Sequence, residues 1–269
     1  MPGRYDTITF LSDYGLVDEL VGVVRSVVHE LAPHVTMIDL GHGVPPHDVR
    51  AGSLTLARAV QYVAPGVIIA AVDPGVGSER RAVAVEVLDG RAVFVGPDNG
   101  LLAPAVAVAG GATRAVQLTN PEYLLPAPGA TFSGREVFAP AAAHLCNGVE
   151  LTELGPAIDP VTLLPATIPI ARVEGERLVA EVLWVDRFGN CQLNVGPDDV
   201  EAWGAAMMVQ WRDEARVATR ADSYAELGEG RLGLVVDSYG VLALAIDRRS
   251  AADELGIGAG DEIILEEAT

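Results

Sequence analysis

The sequence predicts an α/β N-terminal domain with a mainly parallel central sheet, followed by a smaller, mostly β, barrel-like C-terminal domain. Three observations lead there. Short β-branched runs alternate with helically spaced apolar residues through the first half of the chain. The stretch Pro156–Pro169 then holds four prolines and little helical period. Beyond it, β-like runs separated by turn residues take over. The boundaries expected are an N-terminal domain over 1–160, a linker over 161–172 and a C-terminal domain over 173–269.

The elements follow in order. Thr7–Leu11 reads as a buried strand. Asp18–Ala32 carries Leu20, Val24, Val27, Val28 and Leu31 at helical spacing, and Pro33 stops it. Val35–Leu40 is the next strand, "GHGVPPHDV" a loop, Ala51–Val63 a helix. Val67–Val72, Ala82–Leu88 and Ala92–Gly96 are strands. In the second half Leu178–Val185, Met207–Trp211, Arg231–Val236 and Val241–Ile246 read as β, and "ELGIGAGDEIIL" as a short helix, a turn and a strand.

Composition removes several function classes. The net charge is −19 over 269 residues, so the chain is no match for a phosphate backbone. None of its basic residues is lysine, which excludes a Schiff-base or P-loop lysine. No GxGxxG opens a helix. The five histidines, His29, His34, His42, His47 and His144, form no HxH or HxxxH pair, and Cys146 and Cys191 lie far apart. No metal site is expected. No apolar run approaches the roughly 18 residues of a membrane helix. The N-terminus lacks a leader's apolar core. The expectation is a soluble, cytoplasmic protein without membrane or nucleic-acid partners.

Acidic and amide side chains gather just after the strands: Asp13, Asp73, then Asp98 and Asn99. Open α/β sheets bind ligands at those ends. Asp13 reads either as an Asx-turn or helix cap, or as a carboxylate for vicinal hydroxyls. Asp73 and Arg80 read as a loop-closing ion pair, or as a pair that orients a water or an electrophile. "VDRFGN" and "VDSYG" are acid-bearing turns. Their Phe188 and Tyr239 read as ring-stacking residues or as core.

Taken together, "FLSDYG…VDPGVGSERR…FVGPDNGLL…TFSGREVFAPAAAHL…VDRFGN" resembles the adenosine-forming S-adenosylmethionine (SAM) hydrolases, also called SAM hydroxide adenosyltransferases. The SAM-dependent fluorinase and chlorinase are their relatives. The resemblance covers both domains. It implies hydrolysis of SAM to adenosine and L-methionine, with no cofactor and no metal. It also implies homotrimers with sites between subunits. Asp13 matches the carboxylate that holds the ribose hydroxyls, and Asp18 an acid near the methionine amine. Phe132 and Gly134 match residues beside C5′. Asp186 and Ser238 match methionine-binding positions, with Tyr239 where the fluorinase has an arginine for the carboxylate. Asn190 matches the adenine reader, with Phe188 beside it and backbone near Arg248. His47 stands where the fluorinase has tryptophan over the ribose.

Asp73 and Arg80 match two members of the hydrolase Asp–Arg–His triad. The halogenases carry other residues there, so the pair favours water as nucleophile. Ser133 departs from the pattern, because the hydrolases read "TFHGR" with the triad histidine at that place. Serine is no base near neutral pH. Three explanations stand: a natural variant with another water network, an engineered His→Ser change, or room for a halide. The hydrolase-like flanks favour the second. Hydrolysis impaired at Ser133 is the expectation. The alternatives are a halogenase giving 5′-halo-5′-deoxyadenosine, and a non-catalytic SAM or adenosine binder.

Overall fold

The computed structural model describes residues 4–268. Residues 1–3, part of the stretch read for a leader, lie outside the described residues, as does 269. The chain divides into two compact units, one ending at Thr167 and the other beginning at Ile168.

The first unit is built on seven strands. They are β1 (Thr7–Ser12), β2 (Thr36–Gly41), β3 (Val67–Ala71), β4 (Ala82–Val87), β5 (Ala92–Pro97), β6 (Ala112–Gln117) and β7 (Ala157–Ile158). Their order is β2-β1-β3-β5-β4-β6-β7. The run from β2 to β5 is parallel, and β4, β6 and β7 add on antiparallel. The sheet is thus parallel-rich, as expected, and parallel where it matters. β1, β3 and β5 all end on one edge, which brings Asp13, Asp73 and Asp98 to the same side. β3 is buried at every position, the signature of a strand covered on both faces.

Among the described residues, the α-helices of this unit are α1 (Leu20–Leu31), α2 (Val49–Ala59), α3 (Ala103–Val108) and α4 (Ala139–Cys146). α1 packs against α4, and α2 against α3. α1 buries Val21, Val24 and Val28, a stripe at helical spacing. α2 starts where the Asp48 side chain accepts from the Ala51 amide at 2.8 Å. α3 and α4 lie outside the predicted set. α4 is buried on almost all sides, so its alanine-rich sequence has no polar face to mark a period.

The second unit holds β8 (Arg172–Glu174), β9 (Arg177–Val185), β10 (Cys191–Leu193), β11 (Ala206–Trp211) and β12 (Glu214–Ala221). β13 (Leu232–Val236), β14 (Leu242–Ile246), α5 (Ala251–Leu255) and β15 (Glu262–Glu267) complete it. β10 pairs with both β14 and β9, which closes seven strands into the expected barrel, with β8 as an appendage. Closure removes the exposed sheet edges an open sheet would carry. Met207, Val209 and Trp211 alternate into its core.

The proline-rich stretch is not one free connection. Ala157–Ile158 pairs with β6. Thr162 accepts from Arg81 at 3.1 Å, and the Leu164 amide donates to Asp98 at 2.8 Å. Its prolines carry no N–H to satisfy, and the Pro156 and Pro160 carbonyls accept from the Gln117 and Leu163 amides at 3.0 and 3.2 Å. Among the described residues no helix is long and apolar enough to cross a membrane. No group of three or more His, Cys, Asp or Glu is placed to hold a metal among them.

Candidate active site

β3 ends in an apolar interior, and the chain then turns through Pro74, Gly75 and Gly77. Gly77 sits at φ +78°, a left-handed conformation that glycine adopts without strain. The turn returns Arg80 onto Asp73. Arg80 Nε donates to Asp73 Oδ1 at 2.8 Å, and Nη2 donates to Oδ2 in a second, short bond. The same Nη2 donates to Ser133 Oγ at 2.8 Å. Both charged side chains are largely buried, at 8% and 13% exposure. A pair so desolvated needs this two-pronged geometry to persist. The guanidinium also lies 5.6 Å from the Phe138 ring centroid.

Ser133 sits at the mouth of an irregular helix. Gly134–Phe138 forms a π-helical turn that runs on into α4, a distortion that recurs at functional sites. Gly134 is there because Tyr14 leaves no room for a side chain. A Cβ would lie 3.1 and 3.2 Å from two Tyr14 ring carbons and closer still to the hydroxyl oxygen. Tyr14 stands edge-on to Phe132 at 5.6 Å. Burial, then the nearby Asp13 and Asp73, push the Tyr14 hydroxyl far above its ordinary pKa, against a hydrogen bond from the Gly134 backbone. It stays protonated. Arg80, Ser133, Gly77 and the buried Glu136 line a cavity of about 300 Å³.

Asp13 is neither helix cap nor Asx-turn. α1 begins after Glu19 without a side-chain cap. Asp13 Oδ2 instead accepts the His47 amide at 2.9 Å, across from another loop. His47 holds a left-handed φ of 68° to deliver it, a strained conformation for a residue with a Cβ. Asp18, beside exposed Leu16 and Val17, is itself exposed. Asp98 and Asn99 serve structure: Asp98 takes Arg81 at 2.8 Å, and Asn99 donates to the Val72 carbonyl at 3.0 Å.

The barrel carries a second set. Asp186 accepts the amides of Phe188 (2.8 Å) and Asn190 (2.9 Å), and the Asn190 side chain at 2.8 Å. Asn190 is therefore buried and fixed in orientation. Asp237 does the same for the amides of Tyr239 and Val241, at 2.8 and 3.2 Å, beside exposed Ser238. Phe188 and Tyr239 are exposed, at 77% and 48%, which rules out the core reading for both rings. Arg248 is exposed and holds φ 55°.

A family profile for the SAM hydroxide adenosyltransferase N-terminal domain matches residues 8–155, and that for its C-terminal domain matches 180–264. The chain belongs to the SAM hydroxide adenosyltransferase family. It is 43% identical over 256 residues to an (R)-S-adenosyl-L-methionine hydrolase of Salinispora tropica, covering 95% of this chain and 96% of that one. It is 42% identical to one of Thermus thermophilus, covering 96% and 98%. A fluorinase of Actinoplanes is more distant, at 26% identity over 97% of each chain. A solved structure of an uncharacterized conserved protein from Thermotoga maritima is similar in fold. Its TM-score is 0.89 at 32% identity, over 97% of this chain and all of that one.

Within this SAM hydroxide adenosyltransferase fold, Asp13, Asp73, Arg80, Phe132, Ser133 and Gly134 fall in the first unit. Asp186, Phe188, Asn190, Ser238, Tyr239 and Arg248 fall in the second. The family's first domain brings together Asp73, Arg80 and Ser133 by direct bonds. Sequence reasoning missed Tyr14, Glu136 and the His47 amide. A tyrosine directly after a candidate acid could have drawn notice, as could a glutamate beside Arg135 at the head of an apolar helix. A backbone amide carries no residue signal at all.

Proposed function

We propose that the protein hydrolyses (R)-S-adenosyl-L-methionine to adenosine and L-methionine. The observation that carries this is the Asp73–Arg80–Ser133 cluster at the carboxyl end of β3, in a chain of this family. In the relatives' name, L specifies the methionine carbon and adenosyl the ribose. The R descriptor is left for the sulfonium, and this chain takes that epimer.

Water attacks the primary C5′ in line with the C5′–S bond. The O–C5′ bond forms, the C5′–S bond breaks with its electron pair on sulfur, and methionine leaves as a neutral thioether. The attacking water gives up one proton to solvent. Water in bulk, with a pKa near 15.7, is a weak nucleophile. Arg80 favours its hydroxide-like form by charge, and Asp73 holds the guanidinium still. Ser133 holds the water but cannot take its proton near pH 7, so turnover is slow. Asp13 grips the ribose hydroxyls, Asp18 the methionine amine, and Phe132 with Gly134 shapes the wall beside C5′. Asp186 and Ser238 hold methionine, with Tyr239 at its carboxylate. Asn190 and Phe188, with backbone near Arg248, hold adenine. The protein supplies position and charge without a cofactor.

Exposed Leu16 and Val17 beside the first set, and Phe188 beside the second, support a homotrimer whose subunits complete each other's sites. Two free, buried cysteines fit a reducing, cytoplasmic setting.

The test is incubation with each sulfonium epimer, with and without chloride, and chromatography of the nucleosides. Ser133→His is run alongside. Adenosine from the R epimer, independent of chloride and faster in the variant, is expected. A 5′-chloro product would move the protein to the halogenases. Binding without turnover in either version would leave a SAM binder.

A further inference from the structure

We propose that His42 is a positioning residue for ribose recognition, acting through Ser12 on the turn that carries Asp13. This rests on the reading of Asp13 as the ribose carboxylate. Both residues are buried, Ser12 fully and His42 at 5% exposure, so neither touches substrate.

β1 ends at Ser12, and the Ser12–Gly15 turn follows. Its own sheet bond is weak: the Asp13 amide donates to the Ala71 carbonyl at 3.4 Å. The turn is held instead by the loop after β2. The Gly15 amide donates to the His42 carbonyl at 2.8 Å. The His47 amide donates to Asp13 Oδ2 at 2.9 Å. Between them, His42 Nδ1 and Ser12 Oγ are 2.8 Å apart.

The Tyr14 amide donates to Ser12 Oγ at 3.3 Å. We assign the tautomer in which the Ser12 hydroxyl donates to a bare His42 Nδ1, 2.8 Å away. The ring proton sits on Nε2, which faces Asp39 Oδ1 at 3.3 Å, in ion-pair range though off hydrogen-bond alignment. Asp39 is paired in turn with Arg25 at 3.2 Å. Phe10 packs 4.7 Å from the imidazole and holds the ring in place. A carboxylate on one ring nitrogen fixes the tautomer presented by the other. The result is a chain of donors that runs from the Tyr14 amide through Ser12 to His42, whose far nitrogen faces the surface acid Asp39. Asp13 is tied on both sides by one loop.

Remove the Ser12–His42 bond and the turn keeps its backbone bonds but loses its side-chain lock. A carboxylate that must meet two vicinal hydroxyls at once is sensitive to a shift of tenths of an ångström.

Adenosine titration by calorimetry, run with thermal unfolding, tests this. Ser12→Ala and His42→Leu should each weaken adenosine about tenfold, one buried hydrogen bond's worth. The double variant should be no weaker than either single, because one bond is shared. His42→Asn, whose carboxamide oxygen can still accept from Ser12, should keep more affinity than His42→Leu. With SAM, KM should rise more than kcat falls. In an Asp13→Asn background the Ser12 effect should vanish. A lowered melting temperature with unchanged adenosine affinity would make His42 merely structural and overturn the proposal. So would an equal loss in the Asp13→Asn background. A parent protein that binds neither adenosine nor SAM would overturn the ribose reading, and this inference with it.

Discussion

Gly134→Ala asks whether the wall beside Ser133 is as tightly built as its contacts indicate. A methyl group there would stand 3.1 and 3.2 Å from the Tyr14 ring and nearer still to its hydroxyl oxygen. Tyr14 has no easy retreat, because it is edge-on to Phe132 at 5.6 Å and to Phe10 at 6.2 Å. Overpacking of this kind costs about 1–3 kcal/mol. Gly134 is helical rather than left-handed, so alanine returns up to about 1 kcal/mol in backbone propensity. The net loss is up to about 3 kcal/mol, a fall of several degrees in melting temperature for a unit of this size. Because the strain falls on Tyr14 and Phe132, adenosine formation should drop at least tenfold, about 1.4 kcal/mol in the barrier. Tyr14→Phe removes the worst contact, so the double variant should melt higher than Gly134→Ala alone and regain part of the activity. The assays are calorimetric unfolding and chromatography of adenosine. A Gly134→Ala protein that melts and turns over like the parent would refute the packing argument. A double variant no better than the single would refute the role given to Tyr14.

Other outcomes follow from the same geometry. Asp73→Asn leaves Arg80 buried with half its partner, and should cost about 3 kcal/mol in urea unfolding and about a hundredfold in turnover; a variant with parental turnover would remove Asp73 from the mechanism. Burial pushes the Cys146 and Cys191 thiols up to about 12, so only about one in ten thousand is ionised at pH 8. A disulfide reagent should label them after unfolding and not before. Hydrogen bonds from Arg114 hold the Glu86 carboxyl below its ordinary 4.5. A depressed folded pKa gives stability that is complete above the unfolded value and lost as pH falls through the folded one. Glu86→Gln should therefore melt below the parent near pH 7, and the gap should narrow as pH falls below 4.5. A gap that stays constant with pH would deny the ion pair its part.

Much of the fold was legible because the relevant signals are local. β3 and β5 are unbroken apolar runs, and α1 keeps its spacing of buried valines. The barrel strands alternate between turn residues. α4 escaped detection because a helix buried all round has no polar face, and its interior is what makes it helical. The Pro156–Pro169 stretch holds the boundary between the two units. Its composition is that of a connection, yet Arg81 and Asp98 bind it down. Phe188 and Tyr239 carried two readings that only exposure could separate.

The family, and with it the reaction class, was legible from ordered motifs, because the residues that hold a substrate must appear as side chains in the chain. Asp73 and Arg80 could be paired on spacing alone, since a tight turn brings position i+7 back onto i. What belonged to the tertiary structure was the rest of the site. The sequence places Ser133 fifty-three residues beyond Arg80, and only the fold puts it on the guanidinium's free edge. Tyr14 and Gly134 exclude one another's bulk across a still longer stretch of chain. Asp13 is held by the His47 backbone amide, and its turn is tied through Ser12 to the buried His42; neither contact has a linear signature. Side-chain identity is written in one dimension. Direction, burial and the assignment of a proton to one nitrogen depend on neighbours that only folding supplies.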